Sequence, residues 1–282
     1  MTVMPKQLII DKDVFVGTKH DDLCNFAKNH FLILPEVLLY ECLTTQRNQE
    51  NLLDRFRQVL LAGACICPNI KSIINKEAKE LSPYGSLVDL TNTEEIRSAY
   101  MRKDGISYDL SAMSEYLDGN TSELLNVTKG FHEEIASKHS GILTAIRKLD
   151  NSKTIKEERF KCWAQLVNRQ GVHTLAGANL RGITETPEKY CLSDEWVSWH
   201  FVRVTYIIIL EYCFLTHSGA SIGEDRAAHD CRDAEYVYLL SRADGLLTRD
   251  SDCRLLAKAA FPEKDVFSSL DEVPEEYICH WS

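Results

Sequence analysis

Short apolar runs that end on acids mark both ends of the chain, and long stretches of helical periodicity fill its middle. Gln7 to Ile10 is an apolar run closing on Asp11 and predicts a first strand. Helical spacing follows over 21–29, and Phe31 to Leu34 predicts a second strand. Pro35 suits the first position of a helix, where its missing N–H is not needed. That helix has an apolar stripe at Leu34, Val37 and Leu38, and Glu41 falls on the stripe. An acid on a buried face needs a partner or a metal. Leu52, Leu53, Phe56, Val59 and Leu60 predict an amphipathic helix over 48–62, and a short strand is expected over 64–68. Ser82 to Asn92 has loop composition, and Thr91 and Glu94 are spaced as a capping box for the next helix.

From about 93 to 181 no stretch alternates as a strand would, and the clearest helices are 122–149 and 155–170. Ser193 is placed to cap a helix over 194–217, with Asp194 and Glu195 favouring its dipole. That helix is the most apolar stretch, yet it carries His200, Arg203 and Glu211, so it is expected as a buried core helix rather than a membrane span. Trp163, Trp196 and Trp199 sit in apolar helical patterns and are expected in the core. Beyond a Gly-containing loop (218–226), a helix is predicted over 227–241, a strand over Gly245 to Thr248, a helix over 252–260 and a last short strand at Val266-Phe267. The order predicts an α/β fold: a three-layer α/β/α sandwich with a mostly parallel central sheet plus a large helical insertion. Residues 1–92 would form the first half of the core, 93–192 the insertion and 193–282 the second half.

The net charge of −10 excludes a uniformly basic nucleic-acid clamp. Residues 128–181, however, hold ten Lys/Arg against five Asp/Glu. That local excess of +5 fits either a solvated helix face or a basic surface tracking a phosphate backbone. The ten Cys are scattered and form no C-x-x-C pair; Cys65 and Cys67 lie in an apolar run. Reduced structural thiols and a cytoplasmic setting are expected, and the first residues lack the charged lead and apolar core of a signal peptide. No P-loop or G-x-G-x-x-G occurs, and the nine His form no H-x-x-x-H pattern.

Four acids stand at comparable places. Asp11 ends a strand, and Glu41 lies on the inner stripe of a helix. Asp233 shares a helix face with Ala234, Val237 and Leu240, and Asp250 follows the strand that ends at Thr248. Taken singly, Asp11 and Asp250 could be helix caps, and Asp230 and Asp233 a solvated helix face. Gathered together, the four would repel one another and resist desolvation. A divalent cation removes that cost, and all-oxygen ligation suits Mg²⁺ or Mn²⁺. Such a centre hydrolyses phosphodiesters.

The order of these acids resembles the PIN domain family of metal-dependent nucleases. The resemblance is carried by Leu8-Ile9-Ile10-Asp11-x-Asp13-Val14-Phe15, by Leu34-Pro35-x-Val37-x-x-Tyr40-Glu41, by Asp233-x-x-Tyr236 and by Ala243 through Asp250. It covers roughly residues 6–70 and 225–270, and it implies a metal set of Asp11, Glu41, Asp233 and Asp250 with Thr248 orienting a ligand or water. Asp13 stands where the family often has a small polar residue. Asp230 and Asp252 are further acids that could serve as the third and fourth ligands. The implied activity is endonucleolytic, on RNA rather than DNA. A PIN-like scaffold without catalysis and a flap-cutting DNA nuclease share the same pattern. A toxin role is weakened by the helical middle, and a homodimer or other protein partner is left open.

Overall fold

The computed structural model describes residues 5–45, 49–88, 90–101, 110–138, 156–167 and 194–279. Five strands, β1 (Gln7–Ile10), β2 (Phe31–Pro35), β3 (Cys65–Cys67), β4 (Gly245–Leu247) and β5 (Asp265–Phe267), form one sheet in the order β3-β2-β1-β4-β5. Every neighbouring pair is parallel. Leu8, Ile9 and Ile10 of β1 and Leu32, Ile33 and Leu34 of β2 are all fully buried. Successive strand residues point to opposite faces, so both faces of the sheet centre are covered. This is the expected α/β architecture.

Helices α1 (Lys12–Gly17) and α2 (His20–Asn29) join β1 to β2, and α3 (Glu36–Thr44) and α4 (Gln49–Ala62) join β2 to β3. Then come α5 (Ile70–Glu80), α6 (Leu90–Met101), α7 (Leu110–Lys138), α8 (Lys156–Val167), α9 (Val197–His217) and α10 (Glu224–Leu240). Helix α11 (Ser251–Ala260) joins β4 to β5. Right-handed crossovers that run outward from β1 one way and from β4 the other put their helices on opposite faces. The α4–β3 connection turns on Gly63, whose φ of +135° is unfavourable for other residues and where a Cβ would meet the Ala27 carbonyl oxygen at 2.8 Å.

The element ends differ from the sequence reading in instructive ways. Pro35 is the last residue of β2, in register with Cys67, and serves as N-cap of α3, so Glu36 opens that helix. The expected Thr91/Glu94 capping box does not form, because α6 starts at Leu90 and Thr91 lies inside it. Instead the Thr93 hydroxyl accepts from the Ile66 amide at 3.1 Å and Arg97 donates to the Leu60 and Ala64 carbonyls. These side chains close the outer edge of β3, as an unpaired strand edge requires. Helices α1 and α5 go beyond the elements the pattern predicted. Helix α9 starts at Val197 rather than 194, and Ser193 lies outside the described residues. Its first amides are held from another helix: the buried Glu77 carboxylate of α5 accepts from Val197 N at 2.9 Å, Ser198 N at 2.8 Å and the Ser198 hydroxyl.

Among the described residues, α9 is the one helix long and apolar enough to cross a membrane, and 89% of its most apolar window is buried inside the protein. Its Glu211 is satisfied by Arg159 at 2.7 Å and by the Trp163 indole at 2.9 Å, both from α8. Trp163, Trp196 and Trp199 are all buried. Met113, Leu117 and Leu124 of α7 and Phe160 and Trp163 of α8 belong to the same core cluster as the sheet. Much of the basic stretch 128–181 lies outside the described residues. Within it, Lys156, Arg159 and Lys161 pair with Asp252, Glu211 and Glu157. The nine described Cys are free thiols.

Candidate metal centre

Residues Ile10 and Leu247 are in register at the carboxyl ends of β1 and β4, and the Asp11 amide donates to the Leu247 carbonyl at 2.9 Å. The chain leaves β1 toward β2 on one side and β4 toward β5 on the other. The gap between β1 and β4 is therefore the switch point, where open parallel sheets bind ligands. Each strand end delivers an acid that caps the next helix. Asp11 Oδ1 accepts from the Val14 amide at 3.0 Å, and Asp250 Oδ1 accepts from the Asp252 and Cys253 amides at 2.7 and 2.8 Å. The two ends are braced by Thr248, which is fully buried. Its hydroxyl lies against the Asp11 carboxylate, where it favours the ionised form, and accepts from the Asp250 amide at 3.1 Å. Capping and a site role are thus compatible, since helix-terminal amides fix a carboxylate without removing its charge.

Two helices supply the rest. Glu41 of α3 accepts from the Tyr236 hydroxyl at 2.6 Å, and its other oxygen lies 3.7 Å from Lys12 Nζ and 3.9 Å from Arg232 Nε. Asp233 of α10 faces the same cleft, with His229 Nδ1 3.5 Å from its Oδ1. Asp11, Asp13, Glu41, Asp233 and Asp250 line one cleft of about 340 Å³ together with Lys12, His229, Arg232 and Tyr236. Asp13 sits exposed on its rim.

The remaining two acids are committed next door. Asp230 accepts from the Tyr212 hydroxyl at 2.7 Å and lies 3.7 Å from Arg226. Asp252 pairs with Lys156. Both border a separate narrow pocket that shares only Asp233 with the main cleft. Sequence reasoning did not single out His229, Lys12 or Arg232. His229 stands one turn before Asp233 on α10, which was a readable signal; the cations had none, because their direction depends on how α1 and α10 meet α3.

The electrostatics are those of crowded acids. Burial pushes the Asp11 carboxyl up to about 6, against the hydrogen bonds from Thr248 and Val14. Burial, reinforced by Asp250, Glu41, Asp230 and Asp11, pushes Asp233 up to about 9. Carboxylates held near one another in this way resist ionisation until a cation joins them. The donor set, carboxylate oxygens with one imidazole nearby, fits a divalent ion. Fold and site together define an α/β protein with a carboxylate-lined cleft at the switch point of a parallel sheet. No family model, no curated protein and no solved structure matches the chain.

Proposed function

We propose that this protein is a PIN-like, metal-dependent endonuclease that hydrolyses phosphodiester bonds, in RNA rather than DNA, with Asp11, Glu41, Asp233 and Asp250 holding a Mg²⁺ or Mn²⁺ ion. The observation that carries this reading is that four acids from separate elements, distant in sequence, line one cleft. The motif resemblance is its second support. When bound, a divalent cation supplies Lewis acidity and water activation to such a hydrolysis. The chain's own residues do the positioning. Helix-terminal amides hold Asp11 and Asp250, Thr248 couples them, and Tyr236 orients Glu41. Lys12 and Arg232, beside Glu41, are within reach of phosphate oxygens entering the cleft. The reading carries with it a cytoplasmic setting, a nucleic-acid partner and no membrane association.

The test is cleavage of mixed single-stranded RNA and DNA with Mn²⁺ and with EDTA, by wild type, Asp11→Asn and Asp250→Asn. Asparagine retains the capping oxygen. The variants should therefore stay within about 1 kcal/mol of wild-type stability while losing at least about 100-fold in activity. Wild-type-level, metal-dependent cleavage by either variant sinks the proposal. Nucleic-acid binding without cleavage would make the protein a non-catalytic scaffold, and cleavage confined to DNA would make it a structure-specific DNA nuclease.

A further inference from the structure

Within the cleft, the positive groups are unevenly shared. Lys12 and Arg232 both lie beside Glu41. Asp233 has a side chain only 16% exposed, and among the described residues its carboxylate is met by the His229 imidazole and by no hydrogen-bond donor. Asp250 spends Oδ1 on the two amides of α11 and has Oδ2 left over. Ligand atoms of His229, Asp233 and Asp250 all lie within 4.8 Å of one another. Donors bound to one ion at about 2.1 Å are separated by at most about 4 Å, so small side-chain rotations close the set. His229 and Asp233 share a helix face at i, i+4 spacing, a rigid base for two ligands, and Asp250 approaches from a second helix.

Resting on the metal-centre reading above, we propose that His229 is itself a metal ligand and that the His229–Asp233–Asp250 corner makes the centre selective for a first-row transition ion over Mg²⁺. Mg²⁺ takes oxygen donors and surrenders water reluctantly, whereas imidazole nitrogen suits the transition ions. If His229 were only an ion-pair partner of Asp233, a carboxylate centre would still favour the transition ions, but the bound ion would show no nitrogen coupling and its affinity would not depend on His229. Because the His229 side chain is 56% exposed, its replacement leaves the packing of α10 intact.

The experiment is calorimetric titration of the purified protein with MnCl₂, CoCl₂ and MgCl₂, on wild type and His229→Ala, with pulsed electron paramagnetic resonance of the Mn²⁺-loaded samples. Circular dichroism confirms that the variant is folded. Wild type should bind Co²⁺ and Mn²⁺ at least about tenfold more tightly than Mg²⁺ and show nitrogen coupling to Mn²⁺. His229→Ala should lose the coupling and about tenfold in Co²⁺ affinity, with Mg²⁺ affinity unchanged. Mn²⁺ binding without nitrogen coupling, and with equal affinity in the variant, overturns the role of His229 and leaves the carboxylate centre standing. Absence of binding by any of the three ions overturns both.

Discussion

Asp233 gives the site its sharpest pH signature. Its carboxyl is raised from 3.8 to about 9, first by burial and then by Asp250, Glu41, Asp230 and Asp11. In that window the folded state binds more protons than the unfolded state, so stability falls as pH rises from about 4 to 9. Thermal melts of the metal-free protein should lose midpoint steadily over this range. Asp233→Asn should flatten the slope and raise stability at pH 8 by on the order of 1 kcal/mol. Added Mn²⁺ should stabilise wild type more at pH 8 than at pH 5, because bound carboxylates must be deprotonated; a pH-independent metal shift would contradict this assignment. Lys12 and Arg232 belong to the same scale. Lys12→Ala or Arg232→Ala should weaken nucleic-acid binding uniformly across sequences and reduce the slope of log affinity against log salt by about 1, read by fluorescence anisotropy at several salt concentrations. The positions of the four acids were legible because strand ends and apolar stripes announce themselves in one dimension. That Asp230 and Asp252 turn to another pocket was less so: Arg226 stands one turn before Asp230 on α10, but Tyr212 and Lys156 are brought in from α9 and α8.

At the scale of elements, the strands were read nearly to the residue, because buried parallel strands are continuous apolar runs bounded by turn residues. Helix starts were read less well, and the failures share a cause. Thr91 and Glu94 have the spacing of a capping box, but α6 already includes Leu90, and Thr93 and Arg97 of this helix turn to the edge of β3. Helix α9 has no side-chain cap of its own at Trp196. Its cap is Glu77, 120 residues upstream of Val197, a partner that no local motif can reveal. Glu77 is 1% exposed and also accepts from the Tyr84 amide at 2.9 Å, so it ties the end of α5, the following loop and α9 together. Glu77→Ala should strand the Val197, Ser198 and Tyr84 amides at a cost of about 1–3 kcal/mol for each donor that water cannot reach. We expect a loss of at least about 3 kcal/mol in chemical denaturation, with early hydrogen exchange at the start of α9. A loss below about 1 kcal/mol would mean that the amides find other partners.

For the whole molecule, the helical middle is the feature whose consequence the sequence pattern did not disclose. Nothing in the periodicity of α7 and α8 distinguishes helices that stand apart from helices that complete the core. The structure makes them part of it. Phe131 of α7 meets Tyr206 of α9 edge-to-face at 6.0 Å, Trp163 of α8 lies 6.3 Å from Phe214, and Cys213 contacts the Thr128 carbonyl. Glu211, 3% exposed, is neutralised only from α8 among the described residues. Removing residues 103–193 and rejoining the ends with a flexible Gly/Ser linker would therefore uncover Tyr206, Cys213 and Phe214 and leave Glu211 without its partners. Each uncovered large apolar side chain costs about 1.5–3 kcal/mol, and an unpaired buried carboxylate about 3–5 kcal/mol. The combined loss, on the order of 10 kcal/mol, matches the whole net stability of a typical domain, about 5–15 kcal/mol. The shortened chain should show no cooperative melt and should bind a hydrophobic dye, even though every proposed metal ligand is still present. A cooperative melt within a few degrees of the full chain would make the middle a dispensable insertion. It would also imply that α9 finds cover elsewhere, since a helix apolar on all sides cannot face water.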